Sequence, residues 1–382
     1  MEFRDLKKQY QILKKNIDVK ILDVCASTHY ISGPEVKELE AQLAEYIGVK
    51  HCITCANGTD ALILALKVWG ITKQDAVFVP DFTFFASAEC PAAENATCVF
   101  VDIDSRTFNM DPVSLEKNIE NVLKEGVYTP KVVVAVDLFG QPADFPEIRK
   151  ICDKYNLLLL EDGAQGFGGS INGKMACSFG DISTTSFFPA KPLGCYGDGG
   201  AVFTNNDDWA ALLRSYAVHG KSGNDKYNNI RLGLNSRLDT VQAAILQVKL
   251  KAFKDYELKD VNKVADTYSE EFKNAGLDKI LELPYVKDGF VSSWAQYTLK
   301  LPDSINRGEL QKKLKDAGIP TMVYYPKCMH EQGAFEGTYS EKAECPVAVS
   351  SCKQVMSLPI HPYMEFKDIT FVVEIIKKEI NK

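Results

Sequence analysis

The chain has 382 residues, of which 46% are hydrophobic and 25% charged, as in an ordinary soluble globular protein long enough for two domains. Its net charge of −7 argues against nucleic acid or an anionic membrane as the main partner, and no apolar run is long enough to cross a bilayer. The charged start Met1-Glu2-Phe3-Arg4-Asp5 does not fit a signal peptide, so we expect a cytoplasmic protein with reduced cysteines. Cys52 and Cys55 form a CxxC pair inside an apolar run, which predicts core packing, and we expect no metal site.

The first part of the chain alternates between helical and strand-like segments. Apolar residues at helical spacing predict an amphipathic helix in residues 4–25 and a second helix in residues 35–47. From Cys52 onward, helices that begin near Thr59 and Phe84 alternate with apolar strands, which predicts an α/β fold with a mostly parallel sheet covered on both faces. The predicted strands begin at residue 52 and continue with residues 76–80, 97–102, 131–137, 157–161, 182–187 and 201–204.

The composition changes after residue 250. Residues 251–273 predict a charged connector helix. Beyond it we expect strands at 294–301 and 321–325 and helices at 307–317 and 367–380. This order suits a smaller α+β domain, so the sequence predicts a large domain over residues 1–250 and a small C-terminal domain over residues 251–382.

Two stretches that follow predicted strands carry polar residues suited to a ligand. Asn57-Gly58-Thr59-Asp60 leads into a helix, where backbone N–H groups and the Thr59 hydroxyl can bind an anion, and an ordinary N-cap is the alternative. Glu161-Asp162-Gly163-Ala164-Gln165 ends a strand that is apolar at every position. Because ligands of such sheets bind beyond the carboxyl ends of the strands, Asp162 is a candidate site residue. The alternative is that its carboxylate only caps the turn that follows.

Lys191 lies between two prolines in Ser186-Phe187-Phe188-Pro189-Ala190-Lys191-Pro192-Leu193-Gly194, ahead of a glycine-rich turn. Because each proline fixes φ and lacks a backbone donor, this segment predicts a rigid loop rather than a helix. A lysine held in such a loop suits a chemical task, and an exposed loop lysine is the alternative.

An anion-binding turn, a carboxylate at a strand end and a loop lysine together match pyridoxal 5′-phosphate (PLP). This cofactor carries a phosphate, a ring nitrogen that works best protonated, and an aldehyde that a lysine captures as a Schiff base. Phe84, in Phe82-Thr83-Phe84-Phe85, is placed to stack on the ring, with core packing as the alternative. The sequence therefore predicts a PLP enzyme.

The chain resembles the DegT/DnrJ/EryC1/StrS sugar aminotransferases, which are fold-type I PLP enzymes, from near residue 3 to the last helix. The most specific stretch is residues 184–200, and residues 57–62 and 235–244 agree with it. The loop around Lys191 is most similar to that of members that aminate UDP-2-acetamido-2-deoxy-3-oxo-D-glucuronate at C3, for surface polysaccharides such as O-antigen and lipopolysaccharide. The resemblance implies a transaminase that takes its amino group from L-glutamate, with PLP bound by the large domain.

The resemblance also implies a role for each site residue. Lys191 binds the cofactor aldehyde and then moves the proton between cofactor and substrate carbon. Asp162 pairs with the ring nitrogen, a charge-assisted contact of roughly 1.5–3 kcal/mol. Gln165 hydrogen-bonds the ring hydroxyl and Phe84 stacks on the ring. The residues expected to hold the phosphate are Gly58, Thr59 and Ser186.

The polar loop from His219 to Asn235 is long for a structureless connection, and such loops are usually functional. In the family it crosses a two-fold interface, so the resemblance implies a homodimer with shared active sites in which Asn235 contacts the cofactor phosphate of the other subunit. Arg237 would face that subunit's sugar, where a guanidinium can bind a carboxylate. A structural ion pair with Asp239 or a neighbour is the alternative for Arg237.

Tyr324 and Tyr325 border the expected sugar pocket, and close relatives have His at position 324. The keto-sugar therefore stays open, and a 3- or 4-keto-6-deoxyhexose linked to UDP or dTDP is the alternative substrate. Lys327 either assists a diphosphate or carboxylate or is a solvated lysine. Three other functions are less consistent with the sequence. A dehydratase of the family would have His in place of Lys191, and a nicotinamide enzyme would have a GxGxxG motif after an early strand, which this chain lacks. The full set of site residues argues against a non-catalytic PLP-binding regulator.

Overall fold

A computed structural model describes residues 1–223 and 227–380 of the chain. Their helices and strands follow the predicted alternation, with bounds that differ by a few residues. The helices are α1 (Leu6–Ser27), α2 (Pro34–Ile47), α3 (Gly58–Val68), α4 (Ala86–Ala93), α5 (Pro112–Glu125), α6 (Phe145–Tyr155), α7 (Asp207–Tyr216), α8 (Thr240–Ala252), α9 (Leu258–Asn274), α10 (Arg307–Asp316), α11 (Pro346–Gln354) and α12 (Phe366–Ile380). The strands are β1 (His51–Cys55), β2 (Asp75–Pro80), β3 (Thr97–Val101), β4 (Thr129–Val136), β5 (Leu158–Asp162), β6 (Ser170–Ile171), β7 (Lys174–Met175), β8 (Ile182–Ser186), β9 (Gly200–Thr204), β10 (Phe290–Val291), β11 (Tyr297–Lys300) and β12 (Val355–Leu358).

A seven-stranded sheet with the order β1-β9-β8-β5-β4-β2-β3 forms the centre of the fold. Neighbouring strands from β8 to β3 run parallel, whereas β9 is antiparallel to both β8 and β1. This arrangement confirms the predicted α/β fold with a mostly parallel sheet. Cys52 and Cys55 are buried in β1, which confirms the core packing expected for the CxxC pair.

Helices cover both faces of this sheet. In β2, Val77 and Val79 belong to one core and Ala76 and Phe78 to the other, as the alternation of side chains in a doubly buried strand requires. The first core also takes residues from α3, α4 and α7, and the second from α5 and α6. Because helices cover both faces, a ligand site has to form at the carboxyl ends of the parallel strands, among the loops that follow them.

A separate hydrophobic core lies among α9, α10, α12 and the pair β11–β12. The segment between this core's two strands returns to the large sheet, because Cys328, Cys345 and Cys352 pack in the first core. The division into domains at residue 250 stays a prediction.

Two elements of the C-terminal part differ from the prediction. The strand expected at 321–325 is wrong: Met322 makes one isolated bridge with Ser357, and the chain then turns through a cis peptide bond between Tyr324 and Tyr325. The aromatic residues that favoured a strand there are used in ring contacts instead, Tyr324 with Phe3 and Tyr325 with Phe82 and Phe84. The connector helix expected at 251–273 is also interrupted, since a π-helical turn, Phe253–Glu257, separates α8 from α9.

Residues 224–226 of the predicted loop between His219 and Asn235 lie outside the described residues. On either side of them, Val218 pairs with Asn235 and Lys221 with Asn229 in isolated β-bridges, so the two ends of the loop approach each other. Across the described parts of the chain, no helix combines the length and the hydropathy that crossing a membrane would require.

Candidate active site

Asp162 and Ser186 lie at the carboxyl ends of neighbouring parallel strands, β5 and β8. The carboxylate of Asp162 is buried and accepts hydrogen bonds from the hydroxyl of Ser87 at 2.7 Å and from the backbone N–H of Ala164 at 3.2 Å. Burial raises the pKa of Asp162, while these donors and the nearby amine of Lys191 favour the charged form. The site therefore holds a carboxylate that gains from a cationic partner.

Lys191 follows β8 in a tightly folded loop. Its backbone N–H donates to the carbonyl of Phe188 at 2.9 Å. A Cβ at Gly194 would lie 2.5 Å from the carbonyl oxygens of Phe188 and Pro189, so the loop closes on itself at a position that needs glycine. Burial lowers the pKa of Lys191, and Asp162 acts in the opposite direction. A lysine with a lowered pKa has more neutral amine, which is the nucleophilic form.

The predicted anion-binding turn lies against the end of β8. Asn57 is the N-cap of α3 and its Oδ1 accepts the N–H of Asp60 at 2.7 Å, so the N-cap alternative is also correct. A Cβ at Gly58 would lie 2.7 Å from the Cβ of Ser186 and 3.2 Å from its Oγ. The first N–H groups of α3, at Gly58 and Thr59, therefore share one concave site with the Ser186 hydroxyl, as binding of a phosphate dianion requires.

Three aromatic side chains and Gln165 form the wall beside this site. Phe84 is 54% exposed, so it is not a core residue, and its ring centroid is 6.2 Å from that of Tyr325. Gln165 is buried, accepts the backbone N–H of Phe139 at 2.8 Å, and donates to the hydroxyl of Tyr325 at 3.0 Å. Tyr324 packs edge-on against Tyr325, whereas Lys327 is exposed. Gln165 is thus fixed in orientation, and Phe84 presents an open ring face.

Asn235 and Arg237 lie in a different setting. Asn235 is exposed, Arg237 is half-buried, and the guanidinium of Arg237 donates to the amide oxygen of Asn235. Among the described residues Arg237 makes no ion pair, so the predicted alternative of a pair with Asp239 is wrong. Ser236 between them accepts the N–H of Ala56 at 3.1 Å, which ties this segment to the turn before α3.

Sequence reasoning missed two residues of this site. Ser87, in α4, orients the carboxylate of Asp162, and Arg4 lines a narrow cleft together with Lys191. Serine in a helix and arginine near a chain start carry no motif of their own. Only the fold, which brings α4 and the N-terminal segment to the edge of the sheet, identifies them.

The residues present fit PLP. A helix N-terminus with a hydroxyl suits its phosphate, the buried Asp162 suits a protonated ring nitrogen, and Lys191 offers an amine. The exposed ring of Phe84 can cover a flat aromatic ligand.

Residues 11–377 match the DegT/DnrJ/EryC1/StrS aminotransferase family. The chain belongs to this family. It is 45% identical over 374 residues, 97% of its own length and 98% of the relative's, to the UDP-2-acetamido-2-deoxy-3-oxo-D-glucuronate aminotransferase of Pseudomonas aeruginosa. It is 40% identical, over 97% of its length and 96% of the relative's, to a protein of Geobacillus stearothermophilus named pleiotropic regulatory protein. A solved structure of a DegT/DnrJ/EryC1/StrS aminotransferase from Brucella abortus superposes on all of the chain, and all of that structure is covered, with a TM-score of 0.95 and 42% identity.

Membership of this family confirms the predicted enzyme class and cofactor: the protein is an aminotransferase that uses PLP. The predicted resemblance is confirmed over nearly the whole chain. The roles assigned to individual site residues stay predictions.

Proposed function

We propose that this aminotransferase moves the amino group of L-glutamate to C3 of UDP-2-acetamido-2-deoxy-3-oxo-D-glucuronate, for the biosynthesis of a surface polysaccharide. The observation that carries the proposal is the convergence of Lys191, Asp162 and the α3 N-terminus at one edge of the sheet. The choice of sugar rests on the relative of Pseudomonas aeruginosa, which is 45% identical over 97% of the chain.

In this proposal PLP supplies an aldehyde that captures amines and a ring that accepts the electron pair released when a neighbouring C–H proton leaves. Lys191 Nζ takes and returns that proton, which its lowered pKa favours because more of the amine is neutral. Asp162 stays ionised through the donors Ser87 and Ala164 and keeps the ring nitrogen protonated. Phe84 covers the ring and excludes water from it.

The remaining side chains position the ligands. Gly58, Thr59 and Ser186 hold the phosphate through backbone N–H groups and hydroxyls. Gln165 has a second amide hydrogen beyond the one it donates to Tyr325, and this hydrogen can reach a ring hydroxyl. Tyr324 and Tyr325 form the wall that we assign to the keto-sugar.

We also propose a cytoplasmic homodimer with shared active sites. The exposed Asn235 would contact the cofactor phosphate of the other subunit, and Arg237 its sugar carboxylate. Mixing Lys191→Ala and Asn235→Ala proteins tests this sharing, because a mixed dimer has one intact site and regains activity. If the mixture stays inactive after the subunits have exchanged, the active sites are not shared.

The mechanism is tested by substitution of Lys191. We expect a yellow wild-type protein that borohydride bleaches with the label on Lys191, and a Lys191→Ala variant that folds but does not transaminate. Lys312→Ala removes an exposed lysine of α10 and serves as the control. An active Lys191→Ala protein contradicts the mechanism.

The substrate is tested with a panel of keto-sugar nucleotides and L-glutamate as donor. The 3-oxo-glucuronate should be aminated faster than 3- or 4-keto-6-deoxyhexoses linked to UDP or dTDP. Preference for a neutral deoxyhexose would favour the alternative substrate, and PLP binding without turnover of any sugar would favour a regulator. If Arg237→Ala impairs the uronate and a neutral sugar equally, Arg237 does not bind the carboxylate.

A further inference from the structure

Arg4 extends from the segment before α1 into the cleft that holds Lys191. Its guanidinium makes one long hydrogen bond, from Nη1 to the carbonyl of Ala295 at 3.4 Å. No carboxylate in the described parts of the chain lies within ion-pair distance of it. A guanidinium has five N–H donors, so most of the hydrogen-bonding capacity of Arg4 is unused.

The surroundings of Arg4 make an unpaired cation there costly. Burial lowers the pKa of Arg4 to about 10, and Arg4 in turn contributes to the lowered pKa of Lys191. Arg4 thus disfavours the charge of Lys191, while Glu257 opposes the effect of burial on Arg4 itself. A bound anion would relieve both effects.

The other ionisable groups that line the cleft do not supply this anion. Glu257 already accepts hydrogen bonds from Gln9 and Tyr363, and Asp5 caps α1 by accepting the N–H of Lys8 at 2.8 Å. His361 is neutral at physiological pH, because burial lowers its pKa to about 4. Arg4 therefore keeps free N–H donors for an anion, and Glu257, the one cleft carboxylate whose charge acts on Arg4, is already bound by two other donors.

We infer that Arg4 binds the carboxylate of a substrate beside Lys191. The inference rests on the proposed function, which supplies three such carboxylates, two on L-glutamate and one on the sugar acid. A guanidinium recognises a carboxylate with two parallel N–H donors, which fixes the orientation of the ligand as well as its charge. Phe3, the residue before Arg4, packs edge-on against Tyr324 with ring centroids 6.3 Å apart, so the segment that carries Arg4 adjoins the wall assigned to the sugar pocket.

The test compares wild type with Arg4→Met, Arg4→Lys and the control Arg106→Met, which removes an exposed guanidinium stacked on Tyr285. Three single half-reactions are followed by stopped-flow absorbance. The pyridoxal form of the enzyme is mixed with L-glutamate, and the pyridoxamine form, which carries the amino group, is mixed with UDP-3-oxo-glucuronate or with a neutral 3-keto-sugar nucleotide. Calorimetric titration with glutarate, an unreactive dicarboxylate, measures carboxylate binding without turnover. Thermal unfolding checks that each variant is folded.

Arg4→Met should lose about 10- to 100-fold with the ligand whose carboxylate Arg4 binds, and Arg4→Lys should recover part of the loss. A loss with L-glutamate and glutarate assigns the donor carboxylate, and a loss with the uronate but not the neutral sugar assigns the sugar carboxylate. Equal losses in all three half-reactions, or changes below about twofold in every assay, overturn the inference. If wild type reacts with L-glutamate but aminates no keto-sugar, the proposed substrate fails, while the donor and glutarate assays still test Arg4.

Discussion

Substitution of Gly58 by alanine tests the phosphate site directly. Gly58 opens α3, where alanine would otherwise favour the helix by roughly 0.5–1 kcal/mol. The added Cβ would, however, lie 2.7 Å from the Cβ of Ser186, closer than such atoms approach in proteins. Because both atoms are fixed to their backbones, the start of α3 has to move away from the end of β8. That movement separates the two groups of donors that we assign to the phosphate.

The expected loss follows from the bonds that this movement breaks. A hydrogen bond to a charged group contributes about 1.5–3 kcal/mol, so loss of one such bond weakens PLP binding roughly 10- to 150-fold. The assay is an equilibrium titration of apoprotein with PLP, followed by absorbance and fluorescence, beside thermal unfolding without PLP. Gly308→Ala is the matched control, because Gly308 is also in the first turn of a helix, α10, and its added Cβ would meet no atom closer than 3.5 Å.

Binding of PLP by Gly58→Ala shows whether the phosphate lies between α3 and Ser186. If Gly58→Ala binds PLP within twofold of wild type while it is as stable as Gly308→Ala, the phosphate does not lie between α3 and Ser186. Weaker binding of PLP with unchanged binding of pyridoxal, which lacks the phosphate, supports the assignment.

Three further predictions concern other parts of the molecule. Asp162→Asn keeps the shape of the side chain but removes its charge, so we expect kcat to fall by at least tenfold while the unfolding temperature changes little; an equally active variant contradicts the ring-nitrogen contact. The ion pair with Asp81 raises the pKa of His330 above 6.5. The stability that this ion pair adds to the fold is therefore fully present below pH 6.5 and is lost as the pH rises through the raised pKa. The stability difference between wild type and His330→Gln, measured by denaturant unfolding, should therefore shrink toward alkaline pH, and a constant difference would disprove it. Cys25 is the exposed cysteine and the other ten are buried, so a thiol reagent should modify one group rapidly in the native protein and none in Cys25→Ser.

The centre of the site could be predicted from the sequence because it depends on local patterns. Strands buried on both faces are largely apolar, so the polar residues that end the apolar run of β5, Glu161 and Asp162, mark the edge where parallel strands end. The prolines around Lys191 and the Asn57-Gly58 turn likewise predict the conformation of the backbone at their own positions. For the same reason the mostly parallel sheet and its cover of helices on both faces could be predicted from periodicity, whereas the order of the strands could not.

The periphery of the site could not be predicted, because it depends on contacts between distant segments. Tyr324 and Tyr325 have the composition of a strand, but the ring contacts with Phe3, Phe82 and Phe84 decide their conformation. Arg4 reaches Ala295, which is 291 residues away in sequence. Such a pairing leaves no periodic signal, so only the folded chain reveals it.

Two other buried acids, Glu161 and Asp137, lie near Asp162, and their contacts decide which of them carries a proton. Burial raises the pKa of Glu161, but the charged form is favoured by the N–H groups of Phe179 at 2.7 Å and Gly180 at 3.1 Å and by the hydroxyl of Ser183 at 2.7 Å. Asp137 lies beside Glu161, and its Oδ2 is buried without a hydrogen-bond partner among the described residues. Burial and the charge of Glu161 raise the pKa of Asp137 well above its usual value, so Asp137 takes the proton. With Asp137 neutral, Asp162 has one charged carboxylate fewer to repel it and can keep its own charge for the ring nitrogen.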